Sequence, residues 1–139
     1  MPTNVKKELG QFYTTNYNYI FQGLDIAPGS EIIEPFCGTG VLCNWCNSKG
    51  FYEIESYDLD PKSGFIIQRD TIMNPPNYKG KFVVTNPPFL ASNKTKNKAP
   101  FEKWDTNDLS KCFIKSLVDG ECGGGVIILP LNFFCDDRK

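Results

Sequence analysis

Thr85-Asn86-Pro87-Pro88-Phe89 stands directly after the strand-like run Lys81-Phe82-Val83-Val84. An Asn-Pro-Pro-aromatic tetrad in that place suits chemistry on an amino nitrogen. A rigid Pro-Pro turn at the carboxyl end of a strand can hold one side-chain oxygen and one backbone carbonyl toward a planar amino group, with an aromatic face beside them. Asn86 supplies the side-chain oxygen, Pro87 the carbonyl and Phe89 the ring. Two acceptors aimed at one NH2 group fix its plane and draw its lone pair out of conjugation as the nitrogen attacks an electrophile. No covalent nucleophile is needed.

Three further groups have types and spacing suited to a nucleoside-containing ligand. Glu34-Pro35-Phe36-Cys37-Gly38-Thr39-Gly40 is a glycine turn in which Gly38 and Gly40 let the backbone pass close to a ligand. It is GxG without the rest of the GxGxxG phosphate fingerprint, which favours a cofactor without a pyrophosphate. Asp58 follows at the distance typical of a ribose-binding carboxylate in nucleotide folds, and Asp70 can accept from an adenine amino group. Asp58 and Asp70 can equally serve as helix caps or loop acceptors. A second Asn-Pro-Pro, at Asn74-Pro75-Pro76, is a plain turn whose nearest aromatic is Tyr78.

Composition removes many other chemistries. The chain has no His, so histidine bases and histidine metal ligands are excluded. Its six cysteines are scattered through helix and strand patterns, which predicts reduced thiols rather than a disulfide framework. Cys43-Asn44-Trp45-Cys46 has CxxC spacing, but with no second CxxC and no His these read as buried core thiols rather than a metal or redox centre. Fifteen Lys and Arg against 16 Asp and Glu leave a net charge of −1, which neither requires nor excludes a nucleic-acid partner. Neither a signal peptide nor a run of about 20 apolar residues occurs, so a soluble, intracellular (cytoplasmic) protein is expected.

Positioning these groups requires alternating elements. Thr15-Asn16 can cap a helix carrying Tyr17, Ile20, Phe21 and Leu24. Residues 31–36 read as a strand, 41–46 as a helix ended by Gly50, 52–57 as a second strand and Phe65-Ile66-Ile67 as a short third. Residues 74–80 read as a loop and Lys81 to Thr85 as the fourth strand. A polar stretch, residues 93–98, leads to a helix capped near Asn107 with Leu109, Cys112, Phe113, Ser116 and Leu117 on one face, closed by Gly120. Gly123-Gly124-Gly125 then turns into Val126 to Leu131, a strand buried on both faces. The expected result is one α/β domain, residues 1–139, with a doubly wound, mostly parallel sheet. Every polar motif then falls at a strand's carboxyl end, where such sheets bind ligands.

Taken in order, these motifs resemble those of the S-adenosylmethionine-dependent DNA adenine-N6 methyltransferases. Leu9-Gly10-Gln11-Phe12-Tyr13-Thr14-Thr15 is similar to the family's amino-terminal cofactor motif, Glu34 to Gly40 to its first strand-turn motif, Asp58 to its ribose ligand, Asp70 to its adenine ligand, and Asn86 to Phe89 to its catalytic tetrad. The resemblance covers nearly the whole chain. It implies a Rossmann-like methyltransferase fold with strand order 3-2-1-4-5. S-adenosylmethionine would be held by Thr14, Glu34, Pro35, Phe36, Gly38, Gly40, Asp58, Leu59, Asp70, Thr71 and Asn86. Asn86, Pro87, Pro88 and Phe89 would methylate an adenine flipped out of DNA. A restriction-modification or related host-marking role is implied by the same likeness. Lys94, Lys96 and Lys98 would neutralise DNA phosphates, with solvated loop charges as the alternative. Cytosine-carbon methylation is set aside because no cysteine follows a proline.

Two departures from the family accompany the match. The chain stops after the fifth strand, short of the final strands of the usual seven-stranded sheet and of the target-recognition region, which leaves three readings open: a fragment, a split subunit completed by a second subunit or separate specificity region, or a remnant retaining only cofactor binding. The passage from Asp58 to Asp70 is too brief for the usual crossover helix. Two other function classes stay open: an Asn-Pro-Pro methyltransferase acting on protein glutamine or an RNA guanine amino group, and a non-catalytic module binding S-adenosylmethionine.

Overall fold

A computed structural model describes residues 16–131 and 133. Five strands, β1 (Ile32–Glu34), β2 (Ile54–Asp58), β3 (Ile67–Gln68), β4 (Phe82–Thr85) and β5 (Gly124–Ile127), form one sheet in the order β3-β2-β1-β4-β5. Every pairing is parallel. Among the described residues four helices accompany them: α1 (Tyr17–Ile20), α2 (Val41–Ser48), α3 (Ala99–Trp104) and α4 (Leu109–Asp119), with a 3-10 turn at Ser92–Lys94. The layers follow from the period-two geometry of strands. Ile32 and Val84 pack with Tyr17, Phe21, Leu42, Trp45 and Cys46 from α1 and α2, whereas Ile33 and Val83 pack with Phe113 and Leu117 of α4 and with Tyr78. Adjacent residues on each central strand thus enter opposite cores, and the sheet is covered on both faces. This is the Rossmann-like methyltransferase arrangement, in the strand order the resemblance implied.

Several elements differ in extent from the sequence pattern. The first helix is a single turn, and Asn16 makes no side-chain cap there. Gly23, at φ +81°, reverses the chain soon afterwards. Its apolar residues are still used: Tyr17 stacks on Phe21 at 5.6 Å and Phe21 meets Trp45 edge-on at 4.8 Å. The third strand lies at Ile67–Gln68 rather than Phe65 to Ile67, and no helix lies between it and β2. Of that apolar triplet only Ile66 is buried, against Cys37 and Cys43.

The fifth strand begins inside the glycine run and ends at Ile127. A Cβ on Gly125 would lie 2.6 Å from the Val83 carbonyl oxygen, so glycine is what allows β5 to approach β4. Val126 and Ile127 are half-buried rather than enclosed on both faces. The second long helix is capped by Asp108, whose carboxylate accepts from the Ser110 N–H at 2.8 Å, one residue beyond the expected Asn107. Helix α3 was not anticipated. Its signals are the Asn97 side chain accepting from the Ala99 N–H, Pro100 in the first turn, and Glu102 and Lys103 at the matching ends of the helix dipole.

Candidate functional site

β1, β2, β3 and β4 all deliver their carboxyl ends to one cavity of about 230 Å³. Glu34, Phe36, Gly38, Asp58, Leu59, Asp70, Thr71, Asn86 and Pro88 line it. Thus residues that the sequence placed after four different strands share one wall. Pro35 and Pro87 are fully buried just behind that wall, while Phe89 is half-buried outside it. Thr14 lies outside the described residues.

The glycine turn after β1 is built by backbone bonds. The Cys37 N–H donates to the Tyr57 carbonyl at 2.8 Å, and the Gly40 N–H donates to the Cys37 carbonyl at 2.9 Å. Gly38 and Gly40 have φ of +57° and +87°, a region that costs other residues energy, and Gly40 then starts α2. Asp58, 6% exposed, accepts from the Gly38 N–H at 2.7 Å through one oxygen and from the Asp60 N–H at 2.8 Å through the other. Its carboxylate is therefore fixed in orientation at the cavity wall, 20 residues on from the glycine it binds.

Asp70 uses Oδ1 to accept from the Ile72 and Met73 N–H groups at 3.2 and 3.0 Å. It caps a turn and lines the cavity at once. Thr71 donates to the Pro35 carbonyl at 3.2 Å, tying the segment after β3 to the end of β1. The neighbouring Asn74-Pro75-Pro76 loop is held by Arg69, which donates to the Asn74 and Pro75 carbonyls at 2.8 and 2.9 Å and lies over the Tyr57 ring. That second Asn-Pro-Pro does not reach the cavity.

Glu34 joins the cofactor-like turn to the tetrad. It is 1% exposed, and its Oε1 accepts from the Phe36 N–H at 2.9 Å and from the Thr85 hydroxyl. Among the described residues its Oε2 has no partner. Burial holds this carboxyl well above the usual carboxylate range, and the bonds from Thr85 and Phe36 only partly oppose that. Thr85 immediately precedes Asn86, so one buried carboxyl buttresses both turns. The chain beyond the tetrad is fastened in turn: Leu109 N–H donates to the Leu90 carbonyl at 3.1 Å, and Ser92 N–H to the Asn107 carbonyl at 2.8 Å.

The lysine-rich segment contributes differently from its charge. Thr95 and Asn97 line the cavity, while Lys98 donates to the Ser92 and Thr95 carbonyls and so closes its own loop. Lys94 and Lys96 are exposed. Sequence reasoning missed Tyr17, Arg69, Leu90, Pro100, Phe101 and Leu109 as lining residues. Tyr17 and Leu109 were legible only as core positions, and Pro100 and Phe101 belong to the unanticipated α3. Among the described residues no group of three or more His, Cys, Asp or Glu could hold a metal ion, and no helix is long and apolar enough to cross a membrane.

No family model matches the chain. Over an alignment of 163 positions covering all of this chain, it is 28% identical to the type II methyltransferase M.HincII of Haemophilus influenzae and 28% identical to the type II methyltransferase M.HindII of the same species. The chain spans about a third of the length of these relatives, 31% and 30% respectively. In sheet order, in the placement of its polar residues at the strand ends, and in sequence along its whole length, what this chain is similar to is a methyltransferase.

Proposed function

We propose that this chain is the catalytic core, or part of it, of an S-adenosylmethionine-dependent DNA methyltransferase acting on the exocyclic amino group of adenine. The observation that carries the reading is the single cavity joining Gly38 and Asp58 at one end to Asn86 at the other. The residues fit a nucleoside-containing cofactor. Gly38, at positive φ, lines the cavity with no side chain to obstruct it, while Gly40 turns the chain into α2 outside the lining, and Asp58 offers an oriented carboxylate to ribose hydroxyls. Asp70 keeps Oδ2 for an adenine amino group, since its backbone bonds use Oδ1. Phe36, Leu59 and Ile72 give the apolar walls. Bound there, S-adenosylmethionine supplies a methyl group made electrophilic by its sulfonium.

The chain's own part is positioning. The side-chain oxygen of Asn86 and the carbonyl of Pro87 accept from the two hydrogens of the target amino group, and the Phe89 ring stacks on the base. Burial of Pro87 and the bonds from the flanking backbone hold that geometry before substrate arrives. Lys94 and Lys96 supply exposed positive charge beside the tetrad for a phosphate backbone.

Calorimetric titration of the chain with S-adenosylmethionine tests the reading, with Asp58→Ala and Asn86→Ala in parallel. The expected result is binding that Asp58→Ala weakens at least tenfold and Asn86→Ala weakens by less than Asp58→Ala does. Asn86→Ala should lower methyl transfer to adenine-containing DNA by about a hundredfold or more. A folded chain that binds no S-adenosylmethionine would overturn the assignment.

A further inference from the structure

Cys37 and Cys43 form a close thiol pair in the wall of the same cavity. Cys37 sits in the turn after β1 and lines the cavity; Cys43 is in the first turn of α2. Their sulfurs are 3.2 Å apart, and the Cys43 sulfur is also 3.4 Å from the Ser56 hydroxyl. The two side chains are 5% and 3% exposed, with Ile66 closing over them. No role in binding or methyl transfer requires two thiols in contact here. The sulfurs must approach by only about 1 Å to reach bonding distance, and the turn and helix that carry them are adjacent in the chain.

We propose that Cys37 and Cys43 are a two-electron redox site, closed to a disulfide by a peroxide and reopened by a thiol reductant. The Cys43 thiolate attacks one peroxide oxygen; the O–O bond breaks, water leaves after proton uptake, and Cys43 becomes a sulfenic acid. The Cys37 sulfur then attacks the Cys43 sulfur, the S–O bond breaks, and a second water carries away the Cys37 proton. Two thiols lose two electrons and the peroxide gains them. Cys37 lines the cavity, and the proposed peroxide would approach from that side to meet the Cys43 sulfur packed behind it.

The surroundings favour this pair over Cys46 and Cys112. The hydrogen bond between the two sulfurs, with Ser56, lowers Cys43 despite its burial. The same contact and burial push Cys37 up. Burial pushes Cys46 and Cys112 up to about 12, so neither supplies thiolate near neutrality. Closing the bond draws Cys37 toward α2 and acts on the adjacent Gly38, whose N–H orients Asp58. Looser cofactor binding by the oxidised form rests on the methyltransferase reading; the bond itself does not.

The test uses the full chain, reduced, treated with hydrogen peroxide and mapped by mass spectrometry. The tryptic fragment carrying Cys37, Cys43 and Cys46 should lose two hydrogens, with fragmentation assigning the bond to Cys37 and Cys43, and dithiothreitol should restore it. C46S should keep this behaviour and C37S and C43S should lose it. Closure should quicken as pH rises and Cys43 ionises. A Cys43–Cys46 bond, a sulfinic acid on Cys43 without a bond, or an inert fragment would overturn the proposal. The wild-type map decides this even if a serine variant fails to fold. Titrating reduced and oxidised wild type with S-adenosylmethionine separates the two readings: no binding by the reduced chain sinks the methyltransferase assignment and leaves the disulfide result standing.

Discussion

At Glu34 one carboxyl accepts from the Phe36 N–H and the Thr85 hydroxyl while its second oxygen is buried without a partner among the described residues. Burial raises its native pKa above that of the unfolded chain, near 4.3. Between those two values the native state carries the extra proton, so stability from this group is complete at lower pH and is lost as pH rises through the native value. Wild type should therefore lose stability relative to Glu34→Gln as pH goes from about 5 to about 8, read from urea midpoints. A pH-independent difference would show that Glu34 does not titrate on unfolding. The sequence marked Glu34 as the first residue of the glycine-turn motif. It did not disclose the link to Thr85, 51 residues away, since a side-chain bond between strands leaves no local pattern. Arg69 was equally silent: its shortest hydrogen bonds go to backbone carbonyls, which every residue carries.

Elements read well where an apolar period was long and poorly where close approach decided the outcome. Helix α4 was legible because Leu109, Cys112, Phe113, Ser116 and Leu117 repeat at helical spacing, and its buried residues are Ser110, Cys112, Phe113, Ser116 and Leu117. Its cap makes a local prediction: Asp108→Ala should cost about 1 kcal/mol, measured by denaturant unfolding. β5 was misjudged because glycine ordinarily signals a turn, whereas Gly125 is in the strand to let it lie against Val83. Gly125→Ala should destabilise the chain by about 1–3 kcal/mol, through a methyl group driven into a backbone carbonyl. An unchanged melting temperature would mean that β5 can move away from β4 at little cost. α3 escaped notice because six residues carry too few apolar repeats to register against a polar approach.

For the molecule as a whole, cofactor binding and folding are linked. On the proposed reading, S-adenosylmethionine at about 100 times its dissociation constant should add about 2.7 kcal/mol, raising the melting temperature by several degrees, and an Asp58→Ala chain that binds tenfold more weakly should keep only about 1.4 kcal/mol of it. The α/β class was legible from alternation alone, but the grouping of the strand ends around one cavity depends on sheet order, which came from family resemblance. That order places β1 between partners far away in the chain: Ile32 pairs with Ile54 on one side and Phe82 on the other. The cavity draws on Glu34, Asp58, Asp70 and Asn86, so no contiguous stretch can form it without closing the long loop from β1 to β4. Loop closure of this kind slows folding, whereas α2 and α4 can gain helical hydrogen bonds locally. During refolding, helical signal should accordingly return before any capacity to hold a ligand, and ligand-binding competence should appear only with the slowest step that joins the two halves of the sheet.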